Sequence, residues 1–205
     1  MIPIGISEIL KAVDGTLLWG DENGVVTNVV TDSRKAGKGS LFVPIVGERV
    51  DAHRFIPQVM QAGAGVTFSS RKDVAPAASG CCIYVEDTLA ALQKAAAYYR
   101  SRFDIPVIGV TGSVGKTTTK EMISAVLEKK YRVVKTQGNW NSQIGVAMMM
   151  FELEPETELA IFEMGMSLPG EMARLVEIAK PQTAVMTNIG VSHIGNLGSR
   201  ENIAK

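Results

Sequence analysis

The segment Gly109–Lys120, GVTGSVGKTTTK, constrains this chain more than any other. It follows the apolar run IPVIG and leads into KTTTKEMISAVLEKK, which reads as a helix. A strand that turns through Gly112 and Gly115 directly into a helix brings several backbone N–H groups to one point. Glycine permits the backbone angles and close approach that a side chain would block. Such a concavity suits phosphate. Thr111, Gly112, Ser113, Val114 and Gly115 supply the cradle, and Lys116 supplies a point charge for β and γ phosphates. Thr117, followed by Thr118, supplies a hydroxyl that can ligate Mg²⁺. ATP and Mg²⁺ are therefore the expected cofactors. The full phosphate-loop pattern asks for glycine at position 110, which is Val110 here, so the match is to the shorter form G-x-x-G-K-T. A capping glycine beside a surface lysine would explain one glycine but not the whole strand, loop and helix.

Composition narrows the field further. At 205 residues and 46% hydrophobic content the chain can bury a substantial core. Lys plus Arg and Asp plus Glu both number 21, so no net field draws the chain to nucleic acid or an anionic membrane. Charged ligands must be held by local geometry. No apolar run reaches the roughly 18 residues of a membrane span, and the start, MIPIGISEILKAVDG, lacks a basic leader, so a cytoplasmic location is expected. Cys81 and Cys82 are adjacent in the strand-like CCIYV and read as reduced packing residues, since neighbours in a strand face opposite ways.

The overall pattern is α/β. Residues 1–86 mix a short helix, ISEILKAV, with strand candidates VVTNVV, SLFVPIV, GVTFS and CCIYV and a helix HRFIPQVMQAG, as in a small α/β unit. A second domain, 87–205, opens with TLAALQKAAAYYRSRF, which sets Leu89, Leu92, Ala96 and Tyr99 on one helical face. Strand and helix then alternate through PVIGV, the KTTTK helix, RVVKT, SQIGVAMMMFEL, LAIFEM, GEMARLVEIAK and TAVMTN. That order implies crossover units and a parallel sheet flanked by helices, a phosphate-loop NTPase-like architecture. Pro169 and Glu171 suit the first turn of one of these helices. SRENIAK reads as a helix beginning after an N-cap Ser199, and the sheet is expected to be truncated there.

A phosphate loop needs an acid at the end of a neighbouring strand to position its metal, and LAIFEMG ends in Glu163. The next strand delivers Asn188 and, in the glycine-rich IGVSHIGNLG, His193, at the edge where open α/β sheets bind ligands. TQGNWNSQIG offers Asn139 and Asn141 as neutral groups for phosphate oxygens or a carboxylate, although asparagine also caps helices and makes turns. Met148, Met149 and Met150 read as core filler, and Glu128, Lys129 and Lys130 as a solvated helix end.

Together TGSVGKTTTKEM, TQGNWNSQIGV, EMGMSLPGEMARL and TNIGVSHIGNLGSRENIAK resemble the Mur ligases, ATP-dependent amide-forming enzymes of bacterial cell-wall synthesis, and the resemblance covers essentially the whole chain. It is densest to the branch that joins D-alanyl-D-alanine to UDP-N-acetylmuramoyl-tripeptide, which makes those two molecules the expected partners of an enzyme expected to be a monomer. The resemblance implies a catalytic set of Lys116, Glu163 and His193, with Glu163 and His193 as ligands of a second metal. It also implies that TDSRKAGKGSLFVPIVGERVDAHRFI cradles the uridine nucleotide, through Thr31, Asp32, Ser33 and Arg34 and through Gly47, Glu48, Arg49, Asp51 and His53. Asp32 and Ser33 would serve uracil or ribose, and Arg34, Arg49 and His53 a diphosphate, although DSR is equally good turn chemistry.

The mechanism so implied runs from substrate carboxylate to acyl phosphate to amide. A carbamoylated lysine of the family is expected just beyond Lys205, and a C-terminal domain is expected to be absent, so the fragment itself should form little product. Two other branches stay open: the ligase adding the third residue, which shares the TDSR segment but not EMGMSLPGEM, and a non-catalytic nucleotide-sugar-binding module. A GTPase-like switch would need N-K-x-D, which the chain lacks.

Overall fold

The computed structural model describes residues 1–204. The chain forms two compact units, Met1–Tyr98 and Tyr99 onward. Their division falls inside one helix.

The first unit contains, in chain order, β1 (Ile4–Gly5), α1 (Ile6–Ala12), β2 (Thr16–Trp19), β3 (Val25–Val26), β4 (Asn28–Val30), β5 (Ser40–Phe42), α2 (Ile56–Gln61), β6 (Val66–Ser69), β7 (Cys81–Tyr84) and most of α3 (Thr88–Arg100). Its main sheet has the order β2-β7-β6-β5-β4. Strands β4 to β7 run parallel and β2 is antiparallel to β7. Parallel strands are covered on both faces and so read as continuous apolar runs. Accordingly β5 and β6 are buried at every position. Val30 and Phe42 pack with Ile56, Val59 and Met60 of α2. Cys81 and Cys82 are free and buried, and that burial pushes their thiols up to about 11 and about 12, leaving them protonated packing groups. Strand β2 had no counterpart in the sequence reading: it is short, partly exposed and antiparallel.

The second unit continues with β8 (Val107–Thr111), α4 (Lys116–Leu127), β9 (Val133–Lys135), α5 (Gln143–Met150), β10 (Leu159–Glu163), α6 (Glu171–Ala179), β11 (Thr183–Met186), α7 (Ile194–Leu197) and α8 (Arg200–Ala204). All four strands are parallel, in the order β11-β8-β10-β9. The fold is thus α/β, with the expected parallel sheet and flanking helices. Val110, Leu159 and Ile161 form its core with Ile123 and Leu127 of α4. Tyr99 is fully buried, its hydroxyl donating to the Leu153 carbonyl at 2.7 Å and its ring meeting Phe103 and Phe151. The neighbouring Arg100 guanidinium, also buried, donates to the carbonyls of Ala179, Phe103 and Ile105. It thereby satisfies a carbonyl in the last turn of α6, where positive charge is favoured.

One helix start differs from expectation. Pro169 lies ahead of α6, whose N-cap is Gly170 at φ 82. Glu171 turns back to accept the amides of Ser167 at 2.6 Å and Leu168 at 3.0 Å, so it closes the preceding loop as well as facing the helix dipole. Ser199 caps α8 as expected, accepting the Asn202 amide.

Charged side chains stitch α4 to β9. Glu121 accepts Lys120 Nζ at 2.9 Å and Lys135 Nζ at 2.8 Å, and Lys135 also reaches Glu128. The ammonium of Lys135, then that of Lys120, holds the Glu121 carboxyl at about 2, below its ordinary 4.5. A carboxyl depressed on folding adds stability above its unfolded value, and that stability is lost as pH falls through the folded one. Urea midpoints measured from pH 4.5 down to pH 2 should therefore fall less steeply for Glu121→Gln than for the parent chain, an effect that weakens with salt.

Candidate functional site

Three adjacent strands of the second sheet, β11, β8 and β10, end in register, Glu163 beside Val110 and Met186 beside Thr111. Strand β8 lies between β10 and β11, and its outgoing crossover runs to the β10 side while the crossover from β10 runs to the other. A crevice at the carboxyl ends of such strands is where open α/β sheets take ligands. The loop from Thr111 to Lys116 fills that position.

Gly112 adopts φ 131, and a Cβ there would come within 2.1 Å of Thr187 Oγ1 and 3.0 Å of the Asn188 backbone, so no other residue fits. Gly115, the N-cap of α4 at φ 87, faces open space and supplies no side-chain cap. The first-turn N–H groups of a 12-residue helix therefore have neither intrahelical nor capping partners and point where the glycines leave room. Asn188 braces the loop: its backbone carbonyl accepts the Ser113 amide at 3.0 Å, and its side chain accepts from Val114 N and donates to Val114 O. Ser113 Oγ accepts the Gly190 amide, and Ser192 donates to the Ser113 carbonyl. Lys116 folds over the loop, its Nζ 2.8 Å from the Gly112 carbonyl.

Glu163 is 2% exposed, yet its carboxylate is fully engaged. Thr117 Oγ1 donates to Oε2 and Asn141 Nδ2 to Oε1, both at 2.8 Å. A buried carboxylate is tolerable only with such partners. The hydroxyl of Thr117 and the carboxylate of Glu163 are hard oxygen donors, a set that suits Mg²⁺. Beside them lies a cavity of about 380 Å³ whose lining includes Thr111, Gly112, Ser113, Lys116, Asn141, Asn188 and His193, together with Gln143, Glu171 and Met172. His193 holds a left-handed backbone, φ 59 and ψ 20, as the N-cap of α7. Such strain in a non-glycine residue clusters at functional sites. Asn139 stands on the exposed loop ahead of Asn141, and Val114 and Thr118 are exposed beside the cradle. Among the described residues no three His, Cys, Asp or Glu side chains gather as a metal-ligand group.

In the first unit, the parallel strands β4, β5 and β6 deliver Thr31–Arg34, Gly47–His53 and Ser70–Arg71 to one sheet edge. Asp32 caps a 3₁₀ turn, accepting the Arg34 amide at 3.0 Å, and it also pairs with the Arg34 guanidinium. The Arg34 hydrogen bonds hold its carboxyl at about 2. Asp51 caps the turn Ala52–Phe55 and accepts both the His53 amide and His53 Nδ1. The His53 ring is buried, and its Nε2 accepts the Ser70 amide at 3.1 Å. Arg71, which the sequence reading passed over, closes this ring of contacts through an ion pair with Asp51. Gly47, Glu48 and Arg49 form the turn above, with the Gly47 amide on the Val50 carbonyl. Sequence reasoning also missed Gln143, whose Nε2 donates to Glu171, and Thr136, whose Oγ1 accepts the Glu163 amide. None of the three lies in a recognisable phosphate pattern.

Known proteins resemble this chain in sequence and fold. The family described as Mur ligase middle domain matches residues 110–205, and that described as Mur ligase family, catalytic domain, matches residues 25–100. The chain is 46% identical over 206 residues to the UDP-N-acetylmuramoyl-tripeptide–D-alanyl-D-alanine ligase of Bacillus subtilis, covering 100% of this chain and 45% of that protein. It is 36% identical to its Escherichia coli counterpart, covering 100% and 44% respectively. Among solved structures, MurF from Acinetobacter baumannii superposes with a TM-score of 0.91 at 35% identity, covering 98% of this chain and 44% of that one. MurF from Thermotoga maritima in complex with ADP does so with a TM-score of 0.79 at 36% identity, covering 86% and 41%. This chain thus spans less than half the length of these relatives. Its two matched segments, its glycine cradle and its buried Glu163 all lead to one conclusion: the chain belongs to the Mur ligase family.

Proposed function

We propose that this chain is the nucleotide-sugar-binding and ATP-binding portion of a ligase that joins D-alanyl-D-alanine to UDP-N-acetylmuramoyl-tripeptide in the cytoplasm. The observation that carries this reading is the convergence of Thr117 and Asn141 on buried Glu163, beside an α4 N-terminus left uncapped and next to Lys116. The names of the relatives, which match this chain across its whole length, support the choice of substrates. Functionally the chain divides near residue 86, with the sheet edge at Thr31–Arg34 and Gly47–His53 serving the uridine diphosphate and residues 87–205 serving ATP. His53, being buried, would act from beneath by holding Asp51 and Ser70. The enzyme works as a monomer, with no nucleic acid partner and no membrane insertion; no described helix is long and apolar enough to cross a membrane.

In the reaction, an oxygen of the tripeptide's terminal carboxylate bonds to the γ-phosphorus of ATP as the bond from that phosphorus to the bridging oxygen breaks, releasing ADP. The amine of D-alanyl-D-alanine then attacks the acyl carbon. The C–N bond forms, phosphate departs with the C–O electron pair, and the amine gives up a proton. Carboxylate and triphosphate repel, so the site must concentrate positive charge where the phosphoryl group transfers. Lys116 and the first-turn amides of α4 supply it, and they exclude water from the cradle once the anion is seated. Thr117, Glu163 and His193 would hold Mg²⁺, which neutralises phosphate charge and lets the two anions approach. Asn141 and Asn188 keep Glu163 and the loop in place.

The test is ADP release by a polypeptide of the relatives' full length, given UDP-N-acetylmuramoyl-tripeptide, D-alanyl-D-alanine, ATP and Mg²⁺. Turnover dependent on both amino and carboxylate substrates is expected; its absence would leave only the binding function. In that assay Lys116→Ala should lower kcat by at least a hundredfold with an unchanged circular dichroism spectrum. Glu163→Gln keeps one acceptor for Asn141 or Thr117 but loses the charge, and it should cost tenfold to a hundredfold and raise the Mg²⁺ concentration needed for half-maximal rate.

A further inference from the structure

Lys120 is 1% exposed, one helical turn beyond Lys116 on α4, and the chemistry above gives it no task. An ammonium is among the costliest groups to bury, and a methionine or leucine would fill the same space without that cost. The amine must therefore do something a hydrocarbon cannot. Its Nζ donates to the Thr136 carbonyl at 2.6 Å, with Glu121 Oε1 at 2.9 Å balancing the charge. Thr136, wholly buried where β9 ends, accepts the Glu163 backbone amide on its Oγ1 at 2.9 Å. Glu163 returns to α4 through Thr117.

These contacts close a ring, from Lys120 to Thr136 to Glu163 to Thr117 and back along one turn of α4. Without Lys120 the ring is open: the Thr136 amide still bonds to the Ile161 carbonyl and Lys135 still pairs with Glu121 and Glu128 on the surface, but no buried contact from α4 then reaches Thr136 itself. We infer that Lys120 is a positioning residue for the phosphate and metal site: its buried amine clamps Thr136 and thereby sets where Glu163 presents its carboxylate to Thr117 and a bound cation. This rests on the ATP and Mg²⁺ reading above. It adds that the site's metal affinity is tuned from inside the protein, by a group that touches neither nucleotide nor metal.

The experiment compares this chain with Lys120→Met, Thr136→Val and the double variant in two measurements. One is amide hydrogen exchange of the ligand-free protein. Exchange at the Glu163 N–H should rise at least tenfold in each single variant, while exchange at Ile161, deeper in β10, stays put. The other is calorimetric ATP binding across a Mg²⁺ series. The Mg²⁺ needed for half-maximal enhancement should rise about tenfold in Lys120→Met, and the double variant should be no worse than the worse single one, because both act through one ring. If Lys120→Met lowers only the melting temperature, leaving Glu163 exchange and Mg²⁺ dependence unchanged, or if the two substitutions add independently, the proposal is overturned. Lys120→Gln, which keeps a donor on a shorter stem, replaces Lys120→Met should the latter not fold. Failure of both to fold also overturns it, since the lysine would then serve the core. Should the parent chain bind no ATP with Mg²⁺, the nucleotide reading fails, while the exchange experiment still decides whether Lys120 positions Glu163.

Discussion

The buried carboxylate of Glu163 is the group around which the second unit is arranged. Leaving it unpaired in a low-dielectric interior would be prohibitive, so the surrounding elements must bring hydrogen-bond partners. Helix α4 brings the Thr117 hydroxyl and the loop before α5 the Asn141 amide as donors to the carboxylate, while the end of β9 brings Thr136 Oγ1 as acceptor for the Glu163 backbone N–H. Meeting that demand fixes three elements against the end of β10. The same placement leaves the α4 N-terminus facing the cavity beside Lys116. Structural satisfaction and chemical readiness are here one arrangement.

Glycine works to the same end by a different route. At Gly112 the chain passes so close to Thr187 and Asn188 that a methyl group has no room, and this contact ties β11 to the loop after β8. The side chain and carbonyl of Asn188 then take up the amides of Val114 and Ser113. Those two donors are spent on bracing, which leaves the amides at the start of α4 for an incoming anion. In the first unit a comparable economy holds the other sheet edge. Asp51 serves as cap, ion-pair partner and acceptor for the buried His53, whose far nitrogen secures Ser70. The turn carrying Gly47–Arg49 is therefore anchored at its base while its tip stays exposed.

Much of this was legible in the residues. Parallel strands buried on both faces announce themselves as apolar runs, and PVIGV and LAIFEM became such strands close to their expected bounds; TAVMTN also became a strand, although β11 is exposed at three of its four positions. The glycine turn before Lys116 was legible because only glycine tolerates its angles. Strand β2 was not, since four residues with mixed exposure carry no periodic signal and its pairing with β7 is remote in sequence. Pro169 suggested a helix start because proline favours that position in general, but the loop is set by Glu171 reaching back to two amides. Lys120 and Arg71 were invisible for a shared reason. A lysine on a helix or an arginine after a strand is ordinarily a solvated group, and nothing local distinguishes the exception.

By itself the sequence determined which segments of the second unit form strands and helices, where the phosphate-binding turn lies, and which polar residues end those strands, because backbone sterics and apolar periodicity are local properties. Only the tertiary structure decided that Glu163 is buried and triply held, that Lys120 is sealed beneath it, and that His53 is locked between Asp51 and Ser70. Burial and hydrogen-bond partnership depend on residues brought together from distant parts of the chain, and no pattern along the chain encodes which donor will meet which acceptor.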